Sequence, residues 1–188
     1  MKRIEALALI DNIFEGDPLI VTCGATAREL ASFSRRDTHL PLLDAMGLTS
    51  AVGLGVALGY PGSVGVIDGD GSLLMGFSIL PTLAIYAPAN LIVIVLDNEQ
   101  HASADLVPSQ SAHVDLAAAT RGLGLHVETC NDLSGLGAAV SSMRASGTFG
   151  VIFAKIEPGN SADIPLLLAD PAVLGATFTR AVDSRGAR

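Results

Sequence analysis

Short apolar runs alternate with longer amphipathic stretches along this chain, and that alternation restricts its possible folds more than any other feature. The short runs are rich in β-branched residues and several end in Gly, Asp or Asn, which is typical of strands. The predicted strands are residues 18–24, 63–71, 90–98, 125–129 and 151–157. The predicted helices are residues 26–33, 46–60, 79–87, 114–124, 132–145 and a last one near 168–182. This order predicts an α/β fold, in which helices cover both faces of an open, mainly parallel sheet.

The composition fits one compact domain over residues 1–188. Hydrophobic residues make up 49% of the chain, which is enough for a sizeable core, and no linker, internal repeat or low-complexity tract divides it. The N-terminal segment 1–14 carries Glu5 and Asp11 where a signal peptide would be apolar, so we interpret it as an amphipathic helix.

Charge, hydropathy and cysteine content exclude several classes of protein. The formal net charge is -8 and no Lys or Arg run could follow a phosphate backbone, so no nucleic-acid partner is expected. The longest apolar run, residues 91–96, is far shorter than the roughly 18 to 20 residues that span a bilayer, so no membrane partner is expected. Cys23 and Cys130 stand alone, without the CxxC pairs of a zinc or iron–sulfur site, and a reducing cytoplasm fits this best.

Two polar motifs follow neighbouring strands of the predicted sheet. Gly69-Asp70-Gly71-Ser72 follows one strand, and Asp97-Asn98 ends the next long apolar strand. About 25 residues separate the motifs, which is room for one crossover helix and a strand, so both should lie at the carboxyl edge of the sheet. A carboxylate and an amide oxygen suit Mg²⁺, while glycines beside Asp70 would let a diphosphate approach the backbone.

Each motif has a simpler explanation when it is taken alone. Gly-Asp-Gly also forms ordinary turns, and only the pair of motifs favours a cofactor site. The glycines at 53, 55 and 59 lie inside a predicted helix with the wrong spacing for a dinucleotide fingerprint, so we interpret them as packing glycines.

With these motifs the sequence resembles the thiamine diphosphate enzymes, whose diphosphate-binding domain carries Gly-Asp-Gly and, about 25 residues later, an Asn-Asn pair. The stretch 42–80 is similar to that of the small two-subunit 2-oxoacid decarboxylases, notably sulfopyruvate decarboxylase beta chains and phosphonopyruvate decarboxylases. The resemblance runs from about Thr22 to about Glu157. It implies thiamine diphosphate and Mg²⁺ as cofactors.

The resemblance also implies roles for individual residues. The magnesium ligands would be Asp70, the Asn98 side chain and the backbone carbonyl of Gln100. The residues that hold the diphosphate would be Gly24, Ala25, Thr26, Gly69, Gly71 and Ser72, with Asn98 beside them. Met46 would wedge between the two rings of the cofactor and bend it, and the carbonyl of Asp44 would accept a hydrogen bond from the pyrimidine amino group. Met46 as an ordinary core residue is the alternative.

His101 follows the proposed ligands, where an imidazole could contact substrate or move a proton, so it is the candidate catalytic residue; a surface histidine is the alternative.

The sequence departs from the family pattern at Asp44, where the family has Gly, and at Asp97, where it has Asn. Glu99-Gln100-His101 also replaces a more neutral turn. Asp97 is not expected to bind the metal, but Asp44 and Glu99, if they face the cofactor, would disfavour a highly anionic substrate.

A catalytic glutamate is missing from the chain. In the family, a glutamate that contacts the pyrimidine ring belongs to a pyrimidine-binding domain, and none of the six glutamates here lies in such a motif. We therefore expect that domain on a separate alpha subunit, with the active site at the interface of a hetero-oligomer.

The reaction implied is decarboxylation of a 2-oxoacid, first of all sulfopyruvate to sulfoacetaldehyde and CO₂. An acetolactate synthase-like carboligase and a noncatalytic nucleotide- or metal-binding module are the alternatives. Beta chains of 2-oxoacid:ferredoxin oxidoreductases share Gly-Asp-Gly but usually keep cluster cysteines, which this chain lacks.

Overall fold

A computed structural model of the chain describes residues 1–101 and 106–186. Within them lies a six-stranded parallel sheet with the order β2-β1-β3-β4-β8-β7, beside a two-stranded antiparallel hairpin, β5-β6. The sheet strands are β1 Leu19–Val21, β2 His39–Pro41, β3 Val64–Gly69, β4 Leu91–Asp97, β7 Val127–Cys130 and β8 Gly150–Lys155. The hairpin strands are β5 Gln100–His101 and β6 Val107–Pro108. The predicted fold class is confirmed.

Helices connect the strands. They are α1 Arg3–Ile13, α2 Ala25–Phe33, α3 Thr49–Gly59, α4 Asp70–Met75, α5 Ile79–Tyr86, α6 Leu116–Gly122, α7 Leu133–Ser146 and α8 Pro171–Gly186, with a 3₁₀ turn at Gln110–Ala112. Pro81 lies in the first turn of α5, where no intrahelical N–H is needed. Across residues 1–101 and 106–186, no helix is both long and apolar enough to cross a membrane.

Both faces of the sheet are buried, because alternate strand residues point into two separate cores. In β4, Ile92, Ile94 and Leu96 pack with α1, α2 and α7 on one face. Leu91, Val93 and Val95 pack with α3, α5, α6 and α8 on the other. The continuous apolar run at 91–96 is thus explained by burial on both sides.

The strand order reverses beside β1, and this reversal positions the site. From β1 the chain passes outward to β2 at the sheet edge, then returns through α3 to β3 on the other side of β1. The connections that leave β1 and β3 therefore run to opposite sides, which opens a crevice at the carboxyl ends of these two strands.

The structure differs from the predicted elements in four places. The helix predicted from residue 46 begins at Thr49, because Asp44 and Gly47 have left-handed φ values of 54° and 82° and Met46 lies in a turn between them. Strand β2 was not predicted, because it has only three residues, ends in Pro41 and contains no apolar run. It pairs with β1 at the edge of the sheet. Helix α4 and the hairpin were also not predicted.

Close packing of α3 on β3 explains one of the helix glycines. A Cβ atom on Gly53 would lie 2.1 Å from Val66 Cγ2, whereas one on Gly55 would meet no atom within 4 Å. We expect Gly53→Ala to lower the free energy of unfolding by about 1–3 kcal/mol through overpacking. Gly55→Ala, the matched control in the same helix, should raise it by up to about 1 kcal/mol through helix propensity. Urea unfolding of both variants tests this, and equal midpoints would contradict it.

Candidate cofactor and metal site

A cleft lies at the carboxyl ends of β1, β3 and β4. Its lining residues are Arg3, Thr22, Cys23, Gly24, Ala25, Thr26, Met46, Gly69, Asp70, Gly71, Ser72, Leu96, Asn98, Gln100 and His101. The structure thus brings together every predicted site residue except Asp44, which is exposed beside the cleft.

Asp70 is the first residue of α4 and is only 2% exposed. Its Oδ2 accepts hydrogen bonds from the hydroxyls of Ser109 and Ser111, the latter at 2.9 Å. Both serines follow β6 in a segment that folds back onto α4, and sequence reasoning missed them. Since both hydrogen bonds that the structure describes for this carboxylate end on Oδ2, Oδ1 is the atom with capacity for a cation.

Asn98 follows β4 directly and is 5% exposed. Its Oδ1 accepts the backbone N–H of Gln100 at 3.2 Å, in a turn closed by Glu99 with a φ of 60°. In the part of the chain that the structure describes, Asn98 Nδ2 and Gln100 Oε1 are buried without a hydrogen-bond partner. Buried polar atoms normally have a hydrogen-bond partner, so two such atoms without one in the lining of the cleft indicate that a polar ligand binds there.

The opposite wall suits an anion. Gly24 has a φ of 75°, and a Cβ atom on it or on Gly69 would meet nothing within 4 Å, so a ligand can approach the backbone. Helix α2 begins at Ala25, which lines the cleft with Gly24 and Thr26, and the N–H groups in the first turn of a helix are available to an anion. Orphaned polar atoms, an open backbone and a buried carboxylate together fit a diphosphate with its Mg²⁺.

Two of the acidic residues that depart from the family pattern, Asp97 and Glu99, are balanced by Lys155 at the end of β8. Asp97 Oδ2 accepts a hydrogen bond from Lys155 Nζ at 3.1 Å, and Glu99 Oε1 accepts another from the same ammonium. Asp97 Oδ1 accepts the Glu99 N–H at 3.1 Å and lies 2.8 Å from Ser111 Oγ, whose single proton it shares with Asp70 Oδ2. Burial lowers the pKa of Lys155, but its hydrogen bonds to Glu99 and Asp97 outweigh this, so the net pKa is raised. The ammonium stays charged, and Glu99 is held against it.

A second buried carboxylate, Asp68, lies beneath the cleft and was not predicted as a site residue. It is 1% exposed, and burial raises its pKa even though Ser72, the Gly69 N–H, Thr49 and Thr22 lower it. The Ser72 hydroxyl, expected to donate to the diphosphate, accepts the Gly47 N–H at 3.0 Å.

Met46 lines the cleft from a tightly fixed loop. A Cβ atom on Gly76, at the end of α4, would lie 2.0 Å from the carbonyl oxygen of Gly47, so the loop and α4 are in backbone contact. His101 is on the other side, with its ring directly over Gly71, where a Cβ atom would be 2.5 Å from the ring atoms Cε1 and Nδ1.

Neither cysteine offers a thiolate ligand at neutral pH. Burial raises the pKa of Cys23, which lines the cleft, and raises that of Cys130 to about 11. No cluster of three His, Cys, Asp or Glu side chains occurs in residues 1–101 and 106–186. A metal in the cleft would therefore have a mixed carboxylate, amide and carbonyl ligand set, which suits Mg²⁺.

Residues 21–153 match the model of one protein family, the C-terminal TPP binding domain of thiamine pyrophosphate enzymes. Thiamine pyrophosphate, or TPP, is another name for thiamine diphosphate. The chain belongs to this family. The resemblance inferred from the two motifs is thereby confirmed, and thiamine diphosphate is the cofactor that the family domain binds.

Individual members of the thiamine pyrophosphate enzymes differ in how much of their length the chain covers. Sulfopyruvate decarboxylase subunit beta of Methanothermobacter thermautotrophicus is 34% identical, over 100% of this chain and 97% of that protein. Phosphonopyruvate decarboxylase of Streptomyces hygroscopicus is 40% identical, but over 85% of this chain and only 40% of that protein. Benzoylformate decarboxylase from Polynucleobacter necessarius has the same fold, with a TM-score of 0.69 at 16% identity over 84% of this chain and 33% of that one.

The serine contacts to Asp70 lead to a test. Removing a hydrogen-bond partner of a metal ligand commonly costs about 10- to 100-fold in metal affinity. We expect Ser109→Ala to weaken Mg²⁺ binding by about tenfold in calorimetry with thiamine diphosphate present. Ser184→Ala is the control, because the Ser184 hydroxyl bonds only to Ala181 O within exposed α8 in the part that the structure describes. Unchanged Mg²⁺ affinity in Ser109→Ala would contradict the role of this serine.

Proposed function

We propose that this chain is the beta subunit of a thiamine diphosphate- and Mg²⁺-dependent 2-oxoacid decarboxylase, a carboxy-lyase that converts sulfopyruvate to sulfoacetaldehyde and CO₂ with a separate alpha subunit. The observation that carries the proposal is the joining of Asp70 and Asn98 in one cleft. The chain that contains them is similar over nearly its full length to a sulfopyruvate decarboxylase beta subunit. Its single domain supplies the diphosphate-binding half of the site.

Mg²⁺ would be held by Asp70, the Asn98 side chain and the Gln100 carbonyl. These are the oxygen ligands that Mg²⁺ prefers, and phosphate oxygens and water would complete its octahedron. Asn98 Oδ1 now accepts the Gln100 N–H. To bind Mg²⁺, this oxygen would either release that hydrogen bond or bind the cation in addition to it. The diphosphate would lie against Gly24 to Thr26 on one side and the Gly69 to Ser72 turn on the other. The backbone N–H groups of that turn would donate to the diphosphate, and the Ser72 hydroxyl, which accepts the Gly47 N–H, could still donate its own proton.

When bound, the cofactor supplies the electron sink that 2-oxoacid decarboxylation needs. Met46 would support the bent cofactor from its fixed loop, and the Asp44 carbonyl, next to the cleft, would orient the pyrimidine amino group. His101 is placed over Gly71 in the cleft, where its imidazole can hold or move a proton at the substrate. His39 and His126 have other partners, Asp11 at 3.0 Å and Glu128 at 3.5 Å, and neither lines the cleft.

The partner subunit follows from the missing glutamate. None of the six glutamates of the chain lines the cleft, and Glu99, the nearest in sequence to a proposed ligand, is held by Lys155. The carboxylate that activates the pyrimidine ring would therefore come from a pyrimidine-binding alpha subunit. The free thiols of Cys23 and Cys130 support a cytoplasmic location for the assembly.

Phosphonopyruvate is the rival substrate, because the phosphonopyruvate decarboxylase is the more similar protein in the region that it shares with this chain. Turnover of both acids by the complete assembly decides between them. A larger kcat/KM for phosphonopyruvate would replace sulfopyruvate as the substrate and leave the cofactor site unchanged.

The metal assignment predicts that Asp70→Ala abolishes Mg²⁺-dependent binding of thiamine diphosphate, because the variant lacks the carboxylate ligand. Titration calorimetry with and without Mg²⁺ measures this. Asp183→Ala, which removes an exposed carboxylate on α8, should bind as the wild type does. Metal-dependent binding by Asp70→Ala would overturn the ligand assignment, and its absence in the wild type would favour a noncatalytic module.

The assembly predicts that the chain alone has no thiamine-dependent decarboxylase turnover, because it lacks the activating carboxylate. Adding an alpha subunit with a pyrimidine-binding glutamate should restore CO₂ release and shift the chain to a larger species in size-exclusion chromatography with light scattering. Turnover by the purified chain alone would contradict the divided active site.

A further inference from the structure

Arg3 is the only lysine or arginine among the described residues that line the cofactor cleft, and the proposed function gives it no role. It is the first residue of α1, and its side chain is only 6% exposed. A guanidinium is always charged in proteins, and burying a charge is costly unless hydrogen bonds and a counter-charge compensate for it. The partners of Arg3 therefore show what its guanidinium can still bind.

The guanidinium of Arg3 is held by α2 and by the segment that follows β8. Nη1 donates to Glu29 Oε1 at 2.9 Å and to Asn160 Oδ1 at 3.0 Å, and Nη2 donates to the Gly159 carbonyl at 3.1 Å. Glu29 is 1% exposed, and its Oε1 also accepts the Ser161 N–H at 3.0 Å. These contacts fix the guanidinium beside the first turns of α2.

The pair of Arg3 with Glu29 is not the two-pronged contact that arginine and a carboxylate form at their strongest. A single guanidinium nitrogen contacts Glu29, and its Oε2 is buried without a hydrogen-bond partner in the described residues. An arginine has five N–H donors. Those that have acceptors in residues 1–101 and 106–186 are both protons of Nη1 and one of Nη2, so Nε–H and the second Nη2–H remain. The guanidinium can therefore still bind a ligand in the cleft that it lines.

The diphosphate proposed for this cleft needs positive charge. Gly24 to Thr26 form the wall that the proposed function assigns to it, and Glu29 lies about one turn further along the same helix. Backbone N–H groups carry only partial charges, and Asp70 cancels part of the charge of the proposed Mg²⁺. A guanidinium matches phosphate oxygens with parallel N–H donors and a full charge. Arg3 is thus the cation placed to meet an anion on this wall.

We propose that Arg3 binds the diphosphate directly and that Glu29 holds the guanidinium in place for this contact. The proposal rests on the proposed function, which places the diphosphate on this wall of the cleft. It goes further, because it adds a charged side chain from the N-terminal helix to a site otherwise built of backbone groups and metal ligands.

Substitution of each partner in turn tests the proposal by the sign of the effect. Arg3→Gln and Glu29→Gln break the same ion pair, but only the first removes the cation. Arg3→Gln should weaken Mg²⁺-dependent binding of inorganic diphosphate and of thiamine diphosphate by about 10- to 100-fold, the scale of a lost charge-assisted hydrogen bond. Glu29→Gln keeps an oxygen acceptor for Arg3 and removes the competing negative charge, so it should bind both probes at least as tightly as the wild type. Titration calorimetry at physiological ionic strength measures both affinities.

Arg28→Gln is the matched control, because it makes the same change of charge on the same wall helix. Arg28 also donates to carbonyls of the segment after β8, those of Ile164 at 2.8 Å and Pro165 at 3.4 Å. It is not among the described residues that line the cleft. Its replacement should change both affinities by less than about twofold, since salt screens a charge that lies outside the site.

Thermal unfolding establishes which variants are folded before titration, because removal of one partner leaves the other as an unpaired buried charge. If Arg3→Gln is unfolded, the double variant Arg3→Gln/Glu29→Gln takes its place, since it removes both charges. Relative to Glu29→Gln, the double variant should show the same weakening as Arg3→Gln shows relative to the wild type.

The other outcomes overturn the proposal or its basis. Equal weakening by Arg3→Gln and Glu29→Gln means that the ion pair only supports the fold of the cleft, and unchanged binding in Arg3→Gln means that the guanidinium does not contact the diphosphate. Weakening by Arg28→Gln as large as that by Arg3→Gln means that the effect is one of overall charge. Each of these results refutes direct binding by Arg3. Failure of the wild type to bind either probe refutes the cofactor site itself, which is the separate failure of the proposed function.

Discussion

The parallel pairing of β3 with β4 is the constraint on which the site depends. Its register places Asp68 opposite Val95 and Gly69 opposite Leu96, so Asp70 and Asn98 leave the sheet side by side. Both strands are buried on both faces, which fixes this register, because a slip by one residue would exchange the two cores. The same slip would also separate the carboxylate from the amide. Core packing and the geometry of the proposed metal site are therefore consequences of one pairing.

Negative charge accumulates at this edge of the sheet, and the structure neutralises it in three ways. Asp97 and Glu99 share Lys155, whose side chain is 45% exposed, so these pairs contribute little stability and mainly balance charge. Asp68 has hydroxyl and N–H donors. Asp70 accepts hydrogen bonds from two serines on one oxygen and, in the part of the chain that the structure describes, has no cationic partner, which is the electrostatic argument for the Mg²⁺ that we propose there. Because Glu99 is engaged by Lys155 and lies outside the cleft lining, it is a weaker objection to an anionic substrate than its sequence position implied.

The sequence was informative wherever a residue's role depends on neighbours along the chain. The strands, most helices and the two polar motifs were predicted, because burial on both faces and turn-forming residues leave local patterns. Ser109 and Ser111 could not be found in this way, since they reach Asp70 only after the hairpin folds back over α4. Asp68 lies two residues from Asp70, but its burial and its distance of 3.5 Å from the Ser50 hydroxyl of α3 are visible only in the fold. Helix propensity likewise placed Met46 in a helix, although contacts of Gly47 with α4 hold it in a turn.

The Met46 loop contains local strain that the rest of the site offsets. Asp44 has a left-handed φ of 54°, a conformation that costs a residue with a side chain roughly 1 kcal/mol or more. Gly47 takes the same region without that cost, and its backbone is held by Ser72 on one side and Gly76 on the other. A freely moving loop would relax Asp44 to an ordinary conformation. The strain persists because Ser72 and Gly76 hold the backbone of Gly47, and the same contacts keep Met46 in the cleft.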